Sequence, residues 1–586
     1  FYRARTRLDD YVLRPYLDYH ELRSRISSAT PEIINNFRTQ YAQLPVAEIV
    51  YYRWLKRLGG QRKWTTFLAN YESSDDAELR CYYLRALYAT GEETAALADV
   101  SDLWLTPRSQ PKACDPLFDI WISRGGLSES MVWKRLELAL DADSRTLARY
   151  LQRFFESPGI KPWAQSYYSV HVTPSTIVRT SRFRTDNEYS REVIAHGLKR
   201  LAERDPTAAS KAWLGYQDSH SFGPARTEAI EMALLLGHAN QGTFPAHHLE
   251  LAHAPAESMA LAAVIHQRWT DVTHWVERLP ENRRDARRWQ YWLARSLAES
   301  TLNSKRAQLT YSALAEKRDY YGFLAAEEIE RPVQMNHKHP DTNSFKINQL
   351  YRIPAVLRAT ELFAVGDRVN ARREWYRLAP TLSVQEKATA ATLAGSIGWT
   401  SQGIRTANDP ALQDFLELRF PLAYQDDFHR VSHITTVPET FLLAIARQES
   451  LFDPRARSPA NARGLMQLIH PTAERVARRV GLSAPKIGDL YDPSLNIELG
   501  GHHLAGLMNR YGQRRPLAAA AYNAGERRVD GWIKNVSGQY MDVWIESIPY
   551  RETRSYVKNV LAFAQVYGHR QGSPTPMLEA HETRIP

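Results

Sequence analysis

The stretch PETFLLAIARQESLFDP, residues 438–454, combines a strongly apolar run with a glutamate close to its end. Residues 441–446 are all apolar, and counting back from Glu449 by four and then by three reaches Ile445 and Leu442. This spacing places the three side chains on one face of an α-helix. The sequence therefore predicts a helix whose apolar face ends in a carboxyl group.

The same three- and four-residue periodicity recurs in most of the chain. AELRCYYLRALYATGE (77–92) and RRWQYWLARSLAES (287–300) show it clearly, and strand-like alternation is scarce. Alanine and leucine recur at helix contact positions and the segments end in short turns, as in stacked helical hairpins. We predict an all-α protein whose part up to about residue 331 is a degenerate α-solenoid.

Two breaks divide the chain. RPVQMNHKHPDTNSFK (331–346) is polar and contains proline, which predicts a linker, and a second break lies at TANDP (406–410). We predict a superhelical domain over 1–335, a small helical domain over 336–409 and a last domain over 410–586. Several domains also follow from the length of 586 residues, which exceeds what one hydrophobic core supports.

Composition excludes several function classes. The net charge of +10 is small beside 75 basic and 65 acidic residues, and no nucleic-acid-binding signature accompanies it, so we expect no nucleic-acid partner. We see no apolar run long enough for a transmembrane helix. The two cysteines, Cys81 and Cys114, have no companions at zinc spacing, so we expect no structural zinc site. From the sequence alone they are either a disulfide or two buried thiols.

Glu449 is the first candidate for chemistry. If its helix face packs inward, burial raises the pKa of the carboxyl, which can then donate a proton near neutral pH, as the cleavage of a glycosidic bond requires. The alternative is a glutamate at a helix end that turns to solvent or pairs with Arg447 or with an arginine distant in the chain.

A loop rich in short motifs follows this helix. Within SPANARGLMQ (458–467), Ser458 and Gln467 can hydrogen-bond amide groups, and Met466 offers an adaptable apolar contact. Such a lining suits an N-acetylated sugar. Each residue also has an ordinary interpretation as part of a turn or of the core.

Two later clusters complete the set of candidates. In LAAAAYNAGERRV, Tyr522 comes at a predicted helix end, where its hydroxyl can hold a buried carboxyl or belong to a half-buried core tyrosine. In IPYRETRSYV, Glu552 stands between Arg551 and Arg554, which equally suits a surface salt bridge. Neither cluster decides a function alone.

Three clusters together resemble the catalytic domain of lytic murein transglycosylases, relatives of goose-type lysozyme. They are ARQESLFDPRARSPANARGLMQLIHPTA (446–473), AAYNAGERRV (520–529) and IPYRETRSYVKNV (548–560). LDDYVLRPYLDYHEL (8–22) and KRDYYGFLAAE (317–327) resemble other parts of the large soluble members. The resemblance implies a U-shaped superhelical domain, a small helical linker domain and a lysozyme-like catalytic domain. Asn461 departs from the family, where glycine is common, but asparagine tolerates a left-handed backbone.

The resemblance also implies an activity. The family cleaves the β-1,4 bond between N-acetylmuramic acid and N-acetylglucosamine and forms a 1,6-anhydro end, which here makes Glu449 the general acid and then the base. The residues implied at the substrate are Ser458, Met466, Gln467, Tyr522, Asn523 and Glu552, with Tyr522 also orienting the Glu449 carboxyl.

Further expectations come from the same likeness. The family acts in the periplasm, so we expect an exported chain with its signal removed and a disulfide between Cys81 and Cys114. Glycan strands and muropeptides are the expected ligands, other cell-wall enzymes are candidate partners, and the likeness implies no metal or cofactor. Two alternatives stay open: a hydrolytic muramidase in which Asp453 or Glu552 activates water, and a scaffold that binds glycan without cleaving it.

Overall fold

The computed structural model describes residues 8–245, 249, 254–300, 304–534 and 536–586. These residues belong to two compact units, 1–245 and 246–586, which are described separately as the first and second unit. Within the described residues the regular structure is helical, with isolated β-bridges instead of strands. The prediction of an all-α fold is confirmed. The boundaries at 335/336 and 409/410 lie inside the second unit and stay predictions.

The first unit is a succession of short helices. Its α-helices are α1 (Arg14–Ser24), α2 (Pro31–Gln40), α3 (Pro45–Gly60), α4 (Trp64–Asn70), α5 (Ala77–Ala89), α6 (Glu93–Ala98), α7 (Val100–Trp104), α8 (Asp115–Ser123), α9 (Glu129–Asp141), α10 (Arg145–Leu151), α11 (Lys161–Val172), α12 (Glu188–Ala202), α13 (Pro206–Gln217) and α14 (Pro224–Asn240). The apolar faces of α5 to α14 meet in a continuous core of leucine, valine, alanine and aromatic side chains.

A disulfide crosses this core. Cys81 in α5 and Cys114 just before α8 are joined, and both are fully buried. The structure thus has the two cysteines paired, the arrangement that the family resemblance implies. A disulfide closing a loop of this length restricts the unfolded chain, which is worth about 3–4 kcal/mol in the chain-entropy model.

The second unit contains the remaining helices. They are α15 (Ala256–Ile265), α16 (Trp269–Glu277), α17 (Glu281–Arg284), α18 (Arg287–Glu299), α19 (Ser304–Ala315), α20 (Tyr320–Glu328), α21 (Ser344–Leu350), α22 (Pro354–Ala364), α23 (Arg368–Leu378), α24 (Val384–Ser396), α25 (Thr400–Ala407), α26 (Leu416–Arg419), α27 (Gln425–Thr435), α28 (Glu439–Ser450), α29 (His470–Arg479), α30 (Pro493–Arg510), α31 (Arg515–Ala524), α32 (Glu526–Ile533), α33 (Met541–Ser547) and α34 (Arg551–Arg570). In the described part of the chain, no helix combines the length and apolar character that crossing a bilayer requires.

Local sequence fixes where many of these helices begin. The Asp76 side chain accepts a hydrogen bond from the Leu79 N–H at the start of α5. Ser383 and Glu386 form a capping box at the start of α24. Such caps satisfy N–H groups that have no partner within the helix, each for about 1 kcal/mol.

The helix predicted from the opening stretch is α28, and it forms the centre of the last part of the chain. Its residues 441–446 have no solvent exposure. It packs along α34, the longest helix of the second unit's described residues. Leu451 and Phe452, directly after α28, both have positive φ angles of 55° and 59°. Two left-handed residues in succession turn the chain sharply into the following loop.

A buried ionic cluster also holds α34 in place, in addition to the packing of α34 along α28. Glu546 in α33 is 1% exposed and accepts hydrogen bonds from Lys558 Nζ, Arg288 Nη2 and Tyr321 Oη at 2.6, 2.7 and 2.5 Å. The Trp292 indole N–H donates to the same carboxylate. The cluster therefore ties helices α18, α20, α33 and α34 together.

Candidate active site

Glu449 lies in the last turn of α28, at the end of its apolar face. The side chain is half-buried, and Tyr556 Oη of α34 donates a hydrogen bond of 2.7 Å to its Oε1. Burial raises the pKa of Glu449 to about 7, the hydrogen bond from Tyr556 opposes this, and the nearby charge of Glu552 adds to it. At neutral pH the carboxyl can therefore both give and take a proton.

Arg447 does not pair with this carboxyl, contrary to the alternative that the sequence allowed. Its Nε donates to the Arg419 carbonyl at 2.8 Å, and its guanidinium lies over the rings of Phe420 and Phe563 at 5.3 and 5.2 Å. The arginine points into the core below α28. The hydrogen-bond partner of the Glu449 carboxyl is therefore a neutral hydroxyl and not a cation.

The loop after α28 returns to the helix end because its backbone is fixed by buried contacts. Ser450 Oγ donates to the Leu465 carbonyl at 2.7 Å. Asn496 of α30, fully buried, accepts from the Met466 N–H at 2.8 Å and donates to the Arg463 and Leu490 carbonyls at 3.1 and 2.9 Å. One side chain thereby fixes three points of the loop and its surroundings.

Gly464 is required at the tightest point of this loop. Its φ is 77°, and a Cβ there would lie 2.2 Å from the Leu490 carbonyl oxygen and 2.4 Å from Asn496 Nδ2. Only glycine fits. Asn461 also adopts a left-handed conformation, with φ 64°, so the departure from the family's glycine leaves the turn intact.

Ser458 and Gln467 lie on the half-buried side of the same loop. Ser458 Oγ accepts a hydrogen bond from the Ala462 N–H at 3.1 Å. Gln467 Nε2 donates to the Gly464 and Ala456 carbonyls at 2.9 and 3.3 Å. Both side chains are held in place by backbone groups and remain partly open to solvent.

Met466 differs from the expectation. Its side chain is fully buried and packs against α30, where a Cβ on Gly500 would lie 2.3 Å from the Met466 sulfur. The prediction of a thioether contact with a sugar is not what the structure shows, because the side chain fills the space left by a glycine. The backbone carbonyl of Met466, in contrast, accepts a hydrogen bond within the site.

Tyr522 binds that carbonyl. Its Oη donates 2.7 Å to the Met466 carbonyl oxygen, and its ring lies 5.2 Å from that of His503. The predicted hydrogen bond from Tyr522 to Glu449 is therefore replaced by one from Tyr556. Tyr522 instead connects the end of α31 to the loop after α28.

Asn523 and Glu552 lie on neighbouring helices. Thr553 Oγ1 of α34 donates to Asn523 Oδ1 at 2.6 Å, which fixes the amide of Asn523. Glu552 is exposed in the first turn of α34. Arg554, one of its predicted partners, donates to the Glu546 carbonyl at 3.0 Å.

A cavity of about 800 Å³ opens beside these residues. Its lining includes Ile469, Thr472, Arg475, His503, Tyr522, Asn523, Arg527 and Arg528. The cavity is large enough for a sugar unit with a substituent, and its three arginines outnumber the one acidic residue in the lining, Glu526.

Family models match three segments of the chain. A transglycosylase SLT domain matches residues 428–545, a soluble lytic murein transglycosylase L domain matches 349–411, and a soluble lytic transglycosylase helical domain matches 547–576. A cucumovirus coat protein model also matches 92–171. We draw nothing from it, because that segment folds into helices α6 to α11, whereas viral jelly rolls are built from strands.

Full-length relatives agree with these matches. The soluble lytic murein transglycosylase of Escherichia coli K12 is 29% identical over 98% of this chain and 90% of its own length. The X-ray structure of an inactive mutant of lytic transglycosylase Slt from Pseudomonas aeruginosa has a TM-score of 0.86 and 34% identity, covering 100% of this chain and 96% of that one. The chain belongs to the soluble lytic murein transglycosylases. It is accordingly an enzyme that cleaves peptidoglycan by lytic transglycosylation.

A second solved relative also matches this chain, both by itself and in a complex. The 70 kDa soluble lytic transglycosylase of E. coli matches with a TM-score of 0.85, 27% identity and 96% of its own length covered. A complex of that relative with bulgecin A matches with a TM-score of 0.84.

The prediction of a lytic transglycosylase is confirmed, whereas the roles assigned to individual site residues stay predictions.

Two residues of this transglycosylase's site were missed in the sequence. Tyr556 lies inside the third quoted cluster, four residues after Glu552, so helical spacing was the signal that placed both on one helix. Asn496 gave no signal, because it is an unremarkable residue of α30 that meets the loop only after folding.

Proposed function

We propose that Glu449 is the general acid and then the general base in the cleavage of the β-1,4 bond between N-acetylmuramic acid and N-acetylglucosamine. The observation that carries the proposal is a half-buried carboxyl with a pKa of about 7 that faces a tyrosine hydroxyl and no cation. General acid–base catalysis by such a group contributes about 10²–10⁴-fold in rate.

The proposed reaction needs one carboxyl group and no water. Protonated Glu449 gives its proton to the glycosidic oxygen while the bond from that oxygen to C1 of the muramyl residue breaks. The resulting carboxylate takes the proton from the C6 hydroxyl of the same sugar as its oxygen bonds to C1. A 1,6-anhydromuramyl end and a free hydroxyl on the leaving N-acetylglucosamine result, and the enzyme regains its proton. Most glycosidases instead use two carboxyl groups.

The surrounding residues have proposed roles in binding. The side chains of Ser458, Gln467 and Asn523 are partly open to solvent and held by hydrogen bonds, which suits them to contact sugar hydroxyl and amide groups. We assign Tyr522 to the wall of the cavity next to Asn523. Glu552 is assigned an electrostatic contribution at the edge of the site.

The muramidase alternative is weakened by the position of Asp453. Its Oδ1 lies 3.2 Å from Arg368 Nη1 and accepts from the Arg455 N–H at 3.0 Å, and the residue is 8% exposed. A carboxylate held in this way is a poor base for water. Glu552 is exposed and remains the residue through which a hydrolase would act.

We propose that the enzyme works in the periplasm. The buried Cys81–Cys114 disulfide supports this, since disulfides persist in oxidising compartments. Other cell-wall enzymes remain candidate partners.

The test is digestion of purified peptidoglycan, followed by mass spectrometry of the released muropeptides. Glu449→Gln keeps the shape of the side chain and removes the transferable proton, and we expect at least about a 10³-fold loss of product. Glu439→Gln is the matched control at the other end of α28, where the carboxylate accepts from Gln571 and faces His429.

Each outcome has one meaning. Anhydromuramyl ends that require Glu449 and survive Glu439→Gln support the proposal. Hydrated reducing ends would indicate a muramidase. Equal amounts of product from Glu449→Gln and the parent would remove Glu449 from the mechanism. The inactive P. aeruginosa mutant replaces a glutamate by glutamine, a change of the same kind.

A further inference from the structure

Two histidines and a glutamate outside the active site bring their metal-binding atoms together. His337 and His339 lie in the segment between α20 and α21, and Glu417 lies in α26. One ring nitrogen of each histidine and one carboxylate oxygen all lie within 4.8 Å of one another. The two imidazole rings have centroids 4.6 Å apart.

The distances among these atoms fit a shared ion. His339 Nδ1 lies 2.7 Å from Glu417 Oε1, and His337 Nε2 lies 3.9 Å from the same oxygen. Zinc binds nitrogen and oxygen at about 2.0–2.2 Å in a tetrahedral arrangement, which sets two ligand atoms about 3.4 Å apart. The two observed distances lie on either side of this value, and the shorter one is a hydrogen bond between His339 and Glu417 that an ion would replace.

The buried nitrogen of His337 is the observation that points to a ligand. Its Nε2 is buried and has no hydrogen-bond partner among the residues that the structure describes. A buried polar atom without a partner is destabilising, and such atoms in native proteins call for an explanation. Coordination to an ion supplies one. His339 is 78% exposed, which gives an ion access from solvent.

We propose that His337, His339 and Glu417 bind a divalent transition metal, with zinc as the best fit. Two imidazoles and one carboxylate are a known zinc ligand set, and water completes the fourth position. The proposal is independent of the active-site chemistry. It departs from the expectation of no metal, which did not consider the histidines of NHKHP, residues 336–340.

Neighbouring charges set the expected strength. The ring of His569 in α34 lies 5.8 Å from that of His337, so a further basic side chain stands close to the site. Asp414 is a nearby acidic residue, but it already pairs with Lys338 and Arg318. We therefore expect weaker binding than at a cysteine-rich structural site.

Metal binding here would stabilise a contact between two segments. The Lys338 N–H already donates to the Asp414 carbonyl at 2.9 Å, so the irregular segment is held next to α26. An ion that binds the folded chain shifts its unfolding equilibrium by mass action. The melting temperature of the second unit should rise with zinc concentration.

The experiment is a calorimetric titration of zinc chloride into full-length protein stripped of metal with a chelator. His337→Ala, His339→Ala and Glu417→Gln should each weaken binding by at least about tenfold, by analogy with lesser changes around metal ligands. The matched control is His433→Ala, because His433 belongs to a second exposed pair, 3.2 Å from His429. Circular dichroism checks that each variant folds.

One zinc per chain in the parent and in His433→Ala, with weak binding in the three ligand variants, is the expected result. The same pattern should appear in thermal unfolding with and without zinc, and in the visible absorption of bound cobalt. Absence of binding in the parent, unchanged binding in the ligand variants, or loss in His433→Ala alone would each overturn the proposal.

Discussion

Glu449 and Glu546 are both glutamates whose carboxyl groups are withdrawn from water in the second unit, and their pKa values move in opposite directions. Burial raises the pKa of Glu449 to about 7. Burial acts on Glu546 in the same sense, but the charges of Lys558 and Arg288 and the hydrogen bonds from Lys558 and Tyr321 lower its pKa to about 2. The same residue type is therefore a proton donor in one place and a permanent anion in the other.

The partners of a buried carboxyl therefore affect its ionisation more than burial does. Glu449 faces one neutral donor, Tyr556, and one like charge, Glu552. Glu546 faces two cations. Opposite charges favour ionisation, whereas burial and like charges favour the proton. A catalytic acid is obtained here by keeping cations away, with Arg447 turned into the core.

The largest expected effect comes from breaking the ionic cluster. Glu546→Gln leaves the partly buried Lys558 and Arg288 without a counter-charge, and we expect the free energy of unfolding to fall by about 3 kcal/mol. Urea denaturation measures it. The double variant Glu546→Gln with Lys558→Met removes one unpaired cation and should recover part of the loss. A change below about 1 kcal/mol in the single variant would contradict the structural role of the cluster.

The second prediction is that Glu449 and Glu546 affect the stability of the protein in different pH ranges. The stability that Glu449 gives by keeping its proton is fully present below about pH 4.5 and is lost as the pH rises through 7. Glu449→Gln cannot ionise, so it should match the parent near pH 4.5 and exceed it by up to about 3 kcal/mol near pH 8. Glu546 acts in reverse, and its contribution is lost as the pH falls from about 4.5 towards 2. Denaturant unfolding across this pH range measures both, and a constant difference would contradict the raised pKa.

The features that depend on residues close together in the chain could be predicted from the sequence. The helix of Glu449 follows from periodicity over a dozen residues, and the all-α class follows from the same pattern repeated along the chain. Gly464 and Asn461 also belong to a turn that short motifs specify. These features depend on neighbours in the chain, which a single sequence displays directly.

Contacts between distant segments could not be predicted. Tyr556 is 107 residues from Glu449, and Lys558 is 237 residues from Tyr321. Helical periodicity gives the face of each helix but not the helix that packs against it. Met466 was assigned to the substrate for the same reason, since its burial depends on Gly500 of a later helix.

The third prediction concerns Tyr556, which hydrogen-bonds Glu449 in the structure, whereas the sequence analysis expected Tyr522 in that role. Tyr556→Phe removes the hydrogen bond that favours the ionised carboxyl, so the pKa of Glu449 should rise. A hydrogen bond to a charged group is worth about 1.5–3 kcal/mol, or about one to two pH units. The alkaline fall of kcat/KM on peptidoglycan should move up by that amount. Tyr522→Phe is the control, because its hydroxyl binds the Met466 carbonyl, and a shift in this control alone would restore the original prediction.

The smallest expected effect separates the transglycosylase from the hydrolase. The charge of Glu552 raises the pKa of Glu449, so Glu552→Gln should lower it and move the alkaline fall of kcat/KM to lower pH. Because Glu552 is exposed and water and salt screen its charge, the shift should be under about one unit and should shrink as salt is added. A hydrolase that used Glu552 as its base would instead lose about 10²-fold or more in rate at every pH. The pH profile of this one variant therefore distinguishes a carboxylate that only tunes the acid from one that activates water.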